Sequence, residues 1–215
     1  MLAALLLADG RFPMGGHVHS AGVESAVADG RIVDVATLAA YLQGRLHTTG
    51  LTDAALAAAT VLHVDQLDEL DAEAEARITV PALRTVSRRL GRQLVRVAGR
   101  CWPSATLATL PDAPHQCVAL GVVGIAAGLD PTDVARLAVH HAVTTPAQAA
   151  VRLLGLDPFS VASLTAELAV EGEAVVRQAV VAAVGPIADL PARAGPVSEI
   201  AATEHEALPT RLFAS

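Results

Sequence analysis

The stretch VPALRTVSRRLGRQLVRVAGR, Val80 to Arg100, decides the kind of fold this chain makes. Leu83, Val86, Leu90, Leu94 and Val97 return every three or four residues, so they fall on one face of a helix. No stretch of comparable length alternates apolar and polar residues as a half-buried strand would. The same stretch carries a second pattern. Arg84, Arg88, Arg92, Arg96 and Arg100 recur at every fourth position with Arg89 beside them, and no acidic residue lies between Arg77 and Asp112. Like charges spaced i,i+4 destabilise a helix by roughly 0.2–0.5 kcal/mol per pair. A helix with such a stripe is expected to face something acidic. Two sources are open: the run Asp65, Asp68, Glu69, Asp71, Glu73, Glu75 just upstream, or an external acidic protein.

Outward from this segment the chain reads as helix after helix. Upstream, Ser20 to Ala28 forms a short one closed by Gly30. Asp34 caps VATLAAYLQGRLHT, Gly50 stops it, and Thr52 or Asp53 caps AALAAATVLHV. The acidic segment Asp65 to Arg77 is helix-favouring. Downstream, a proline-punctuated loop from Trp102 to Pro114 precedes His115 to Gly128, a helix apolar all round and therefore buried. Its Gly121, Gly124 and Gly128 offer a face where another helix can come close. Asp130-Pro131 and Asp157-Pro158 each pair an N-cap with proline at the first helical position. The first of these helices is expected to kink at Pro146, the second to weaken at Gly172. A short helix near Val197 to Glu206 precedes the tail. The expectation is one all-α domain over residues 1–215, a bundle of about eight to ten helices.

Composition excludes several classes of function. Hydrophobic residues make up 53% but aromatics only 2%, which suits closely packed helices. All fifteen basic residues are arginine, so no lysine is present for a Schiff base or a phosphate-binding P-loop. A net charge of −7 argues against nucleic acid or an anionic membrane as partner. Cys101 and Cys117 alone cannot build a structural zinc site. MLAALLLADG lacks the positive start of a signal peptide, and the run Cys117 to Leu129 is shorter than the roughly 20 residues of a membrane span. A soluble, cytoplasmic protein is expected.

LADGRFPMGGHVHSAGVESAV, Leu7 to Val27, is the most unusual stretch, a proline–glycine hinge with His17 and His19 one residue apart. In extended chain these two point to opposite faces and do not readily chelate one ion. His140 and His141 are adjacent on a helix and diverge by about 100°. Ser20 follows His19 without a nucleophile elbow, and GVVGIAAG lacks the strand–turn–helix setting of a dinucleotide fingerprint. The tail HEALPTRLFAS ends in Leu212 and Phe213, an apolar terminus that must dock on the chain's own core or on a partner.

Several of these motifs, taken in order, resemble the urease accessory protein F (UreF) family. They are Leu7, Ala8, Asp9, Pro13, Gly15, Gly16, His19, Ser20, Gly22 and Glu24 in the opening turn, then Ser87, Gly91, Arg92 and Leu94, then Arg152 to Asp157. His205, Glu206, Arg211, Leu212, Phe213 and Ser215 complete the set at the terminus. The family's position before Val18 is aromatic where this chain has His17, which favours packing there. The resemblance implies an all-helical, non-catalytic, cytoplasmic protein without a tightly bound cofactor. It would form a complex with the D/H-type accessory protein, as a homodimer within a larger assembly. That assembly would recruit the nickel-carrying GTPase G and help deliver nickel to apo-urease. It places partner contacts in the turn 7–24 (Pro13, Gly15, Gly16, His19, Ser20, Glu24) and the tail 205–215 (His205, Glu206, Arg211, Leu212, Phe213), and the charge pattern adds Arg88 and Arg92. The rival reading is a nickel-binding metallochaperone using His17 and His19, with His140 or His141.

Overall fold

Three aspartates show how the sequence starts its long helices. The Asp34 carboxylate accepts the Thr37 amide at 2.8 Å while the Thr37 hydroxyl lies 3.1 Å from the Asp34 amide, a reciprocal cap. Asp130 takes the Asp133 amide at 2.8 Å, and Asp157 takes those of Phe159 and Ser160 at 3.3 and 3.0 Å. In the last two, proline fills the first helical position, where no amide bond is lost.

The computed structural model describes residues 2–16, 19–205 and 212–213, and these form ten α-helices and no β-strand. They are α1 (Leu2–Ala8), α2 (Val23–Ala28), α3 (Val35–Arg45), α4 (Leu51–Leu62), α5 (Leu67–Arg77), α6 (Pro81–Cys101), α7 (Gln116–Ala126), α8 (Pro131–Leu154), α9 (Pro158–Ala183) and α10 (Pro196–His205). The all-α reading holds. Helix α1 was not anticipated as a separate element.

Helix α4 is the central rod, flanked by α7, α8 and α9. Ala54, Ala55, Ala57, Ala58 and Ala59 are fully buried, so neighbouring helices approach its backbone closely. On α7 the small-residue face answers this: a Cβ at Gly121 would lie 2.4 Å from Thr60 Cβ, and one at Gly124 2.3 Å from Val134 Cγ2. Gly128 has another role, turning the chain after α7 at φ +73°.

One sequence expectation is corrected. Gly50 does not stop a helix, and neither Thr52 nor Asp53 caps one. The backbone passes from α3 through a π-helical turn, Leu46–Gly50, directly into α4, with Gly50 at φ −60°. Glycine there serves proximity, since its Cβ would sit 3.1 Å from the Arg45 carbonyl. Helix α8 runs through Pro146 as one element. Proline removes the amide that would bond the Ala142 carbonyl, and the Arg45 Nε supplies the missing donor at 3.2 Å. Helix α9 also continues past Gly172, where a Cβ would press on Val139 Cγ1 at 3.1 Å.

Candidate functional site

The arginine stripe divides between the two destinations that the sequence left open. Four residues advance a helix by about 40° more than one turn, so successive arginines wind around α6 rather than lining one edge. The first two meet the upstream acidic helix: Arg84 Nη1 lies 3.3 Å from Glu75 Oε1, and Arg88 reaches Glu75 Oε2 at 2.7 Å and Asp71 Oδ2 at 3.0 Å. Arg88 also donates to the Ala113 carbonyl at 2.8 Å. The expected place of Arg88 at a partner surface therefore gives way to an internal role. Further along, Arg89, Arg92, Arg96 and Arg100 are exposed.

Beside Arg88 lies a buried polar latch that the sequence reading missed. His115 is 0% exposed; its Nε2 lies 2.7 Å from Glu75 Oε2 and its Nδ1 3.0 Å from Ser87 Oγ. Ser87 Oγ accepts the Gln116 amide at 3.1 Å, capping α7 from a neighbouring helix, and Asp71 accepts the His115 amide at 2.8 Å. Hydrogen bonds from Arg88 and His115 hold the Glu75 carboxyl below its usual range, whereas burial pulls His115 down. One turn on, a Cβ at Gly91 would lie 2.0 Å from the Pro114 carbonyl oxygen, so only glycine lets the chain enter α7 here. Two of the residues that carry the family resemblance, Ser87 and Gly91, thus act together to lock α6 onto the start of α7. The signal was present as two small residues four apart on the apolar face of α6.

The opening turn lies along α6. The Pro13 carbonyl accepts Gln93 Nε2 at 3.0 Å, and Phe12 packs on Trp102 with ring centroids 6.0 Å apart. Pro13 is exposed and Gly15 and Gly16 partly so, with Gly15 at φ +88°. His19, Ser20 and Glu24 are instead buried at 4%, 0% and 6% exposure, so their expected place at a partner surface is corrected. Arg89 Nη2 stands 3.0 Å from His19 Nε2. A guanidinium only donates, so this nitrogen accepts and its lone pair is engaged.

Glu24 holds the end of the chain. Its two carboxylate oxygens accept the Leu212 and Phe213 amides at 2.6 and 3.1 Å. Phe213 joins the chain's own core at 8% exposure, with the Arg152 guanidinium 4.5 Å from its ring centroid. Phe213 is thus corrected from a partner contact to an internal anchor, while Leu212 is 74% exposed. The structure brings the opening turn, α6 and the tail end around α2. His17, Glu206, Arg211 and Ser215 lie outside the described residues, as does the side chain of His205.

His140 and His141 bond the end of α1. Their Nε2 atoms lie 3.2 and 3.0 Å from the Ala8 and Leu7 carbonyls, groups a helix terminus leaves without partners. Burial takes His141 down to about 4, so it is neutral, with Nε2 as donor. Among the described residues no three His, Cys, Asp or Glu side chains are grouped to hold a metal. A cavity of about 180 Å³ is lined by Thr49, Asp53, Cys117 and His141. Burial raises the Asp53 carboxyl to about 6. No helix among the described residues is long and apolar enough to cross a membrane.

The UreF family model matches residues 32–169. Over nearly the whole chain it is also similar to proteins described as urease accessory protein UreF. That of Mycolicibacterium vanbaalenii is 44% identical over 216 residues, covering 98% of this chain and 97% of that protein. That of Mycobacterium sp. (strain JLS) is 45% identical over 211 residues, with 98% and 97% covered. That of Mycobacterium tuberculosis (strain H37Rv) is 40% identical over 215 residues, with 100% and 99% covered. The match to the Mycobacterium tuberculosis protein spans the opening turn, the α6 latch and the end of the chain together, and this chain belongs to the UreF family of urease accessory proteins.

Proposed function

We propose that the chain acts in urease maturation as a non-catalytic scaffold. In this reading it joins the D/H-type accessory protein, as a homodimer within the complex, recruits the nickel-carrying GTPase G and supports nickel delivery to apo-urease in the cytoplasm. The observation that carries it is the near full-length similarity to urease accessory proteins. Local chemistry agrees. Polar residues of the motifs that carry the resemblance make internal contacts: Ser87 caps α7, Glu24 binds the tail, and His19 accepts from Arg89. What they leave at the surface is contact area, with Pro13, the glycine turn, Arg92 and Leu212 accessible. A scaffold needs such surfaces held by rigid elements, and needs no activated nucleophile.

The metallochaperone reading loses support at His19, whose Nε2 is engaged, and at His140 and His141, which bond α1. Co-expression with tagged D/H-type and G-type accessory proteins tests the proposal. The chain should co-purify with both, and its deletion should abolish urease activation at ordinary nickel. Unchanged urease activity in the deletion strain would overturn it.

A further inference from the structure

The outer face of α6 has a charge imbalance that the fold does not resolve. Arg92, Arg96 and Arg100 are exposed and make no hydrogen bond or ion pair among the described residues. Arg89, on the same face, meets the neutral acceptor His19, so its charge is not compensated there. Among the other exposed arginines, Arg11 pairs with Asp9, Arg31 with Asp29 and Glu204, and Arg136 with Asp133 and Glu173, while Arg177 and Arg193 stand singly without an ion pair among the described residues. An unpaired run on a chain of net charge −7 therefore stands apart from the rest of this surface.

Geometry narrows the occupant. Counting about 100° per residue, Arg89, Arg92, Arg96 and Arg100 span roughly 80° of α6, opposite the buried Leu90, Leu94 and Ala98. Arg92, Arg96 and Arg100 are rungs about 6 Å apart along the axis, and the whole face is roughly 16 Å long. Each rung is a planar fork that fits a carboxylate in two-pronged fashion. A helix with acidic residues at every fourth position repeats at the same 6 Å.

We propose that the outer face of α6, formed by Arg89, Arg92, Arg96 and Arg100, docks an acidic helix of a partner protein. The proposal rests on the reading of the chain as a scaffold and supplies one of its contact faces. The opening turn borders the same face through Gln93 and Pro13, so a partner seated there would also touch the exposed Pro13.

The test uses the full chain and a fluorescein-labelled helical peptide with glutamate at every fourth position, read by anisotropy across a salt series. Wild type should bind the peptide, more weakly as salt rises. Arg92→Gln/Arg96→Gln/Arg100→Gln and the corresponding triple Glu variant should weaken binding by about ten-fold or more with unchanged melting temperature. Arg11→Glu/Arg136→Glu/Arg177→Glu, matched in net charge to the triple Glu variant, should not. Three results with the purified chain would overturn the proposal. The α6 variants could bind like wild type; a single-stranded oligonucleotide of equal charge could bind as tightly as the peptide; or the face could prove to be covered by a second copy, shown by dimers that separate in the α6 variants. Urease activation by the α6 variants, measured alongside deletion of the chain, separates the two readings. Normal activation by the variants with none in the deletion strain would remove this face and leave the scaffold standing.

Discussion

Replacing Phe213 by alanine should destabilise the chain although the residue is third from the end. Burial of the ring contributes roughly 1.5–3 kcal/mol. The amide bonds from Leu212 and Phe213 to the Glu24 carboxylate are of the charge-assisted kind, each contributing roughly 1.5–3 kcal/mol. Arg152 over the ring adds on the order of 0.5–1 kcal/mol. Against these stands the entropy of ordering a terminal segment, roughly 1–2 kcal/mol per residue. A terminal segment can also detach as a unit, so the loss is capped by its net docking free energy; taking the burial of the ring alone, the loss is about 2 kcal/mol. For a chain of this size that lowers the melting temperature by roughly 4–8 °C. Differential scanning calorimetry of Phe213→Ala, Glu24→Gln and the double variant supplies the check. The double variant should fall short of the sum of the singles, because either change alone frees the tail. Full additivity, or melting temperatures equal to wild type in both singles, would refute internal docking. Deletion of Thr210 to Ser215 should lower the melting temperature by the same amount.

Gly91→Ala should lower stability by roughly 1–3 kcal/mol in a thermal melt, because its Cβ would lie 2.0 Å from the Pro114 oxygen; an unchanged melt would refute the close approach. Arg88→Ala should cost roughly 1–3 kcal/mol by denaturant titration, since it strips a partner from Asp71 and Glu75, while Arg96→Ala should stay within about 0.5 kcal/mol of wild type. Equal effects would contradict the division of the stripe. Asp53 carries a pH signature. Its folded-state pKa of about 6 exceeds the ordinary 3.8, so the fold favours the protonated acid. The contribution of Asp53 to stability should therefore be greatest below about pH 4, fall as pH rises through 6, and be flat above. Asp53→Asn should remove that slope, gaining at most about 3 kcal/mol at pH 7. The same pH dependence in wild type and Asp53→Asn between pH 4 and 6 would count against it. Equilibrium dialysis should find no nickel held more tightly than about 1 μM; a one-to-one site lost in His19→Ala would revive the metallochaperone reading.

The helices were legible wherever local chemistry sets them. Asp34, Asp130 and Asp157 announce starts that depend only on residues one to three positions away. The errors fall where tertiary contacts override local preference. Gly50 reads as a terminator, but the approach of Arg45 and Ala142 makes it a packing glycine. Pro146 reads as a kink, and nothing local shows that Arg45, a hundred positions upstream, supplies the lost donor. The site was legible in part for the same reason. Arg84 to Arg100 showed that a charged ladder needed acidic company, and only the 40° drift per step divided it between α5 and the surface. The latch of Ser87, His115 and Glu75 joins residues 28 and 40 positions apart, beyond any periodicity argument. Glu24 and Phe213 are 189 apart, and nothing in either segment names the other.

The central claim, that this chain is a scaffold for urease maturation, is tested most directly by one reconstitution. Apo-urease, the D/H-type and G-type accessory proteins, GTP, bicarbonate and nickel are combined with or without the purified chain, and urease activity is followed. The account predicts activation that depends on the chain and co-elution of the chain with both accessory proteins. Equal activation in its absence, or a chain that elutes alone from the complete mixture, would contradict it.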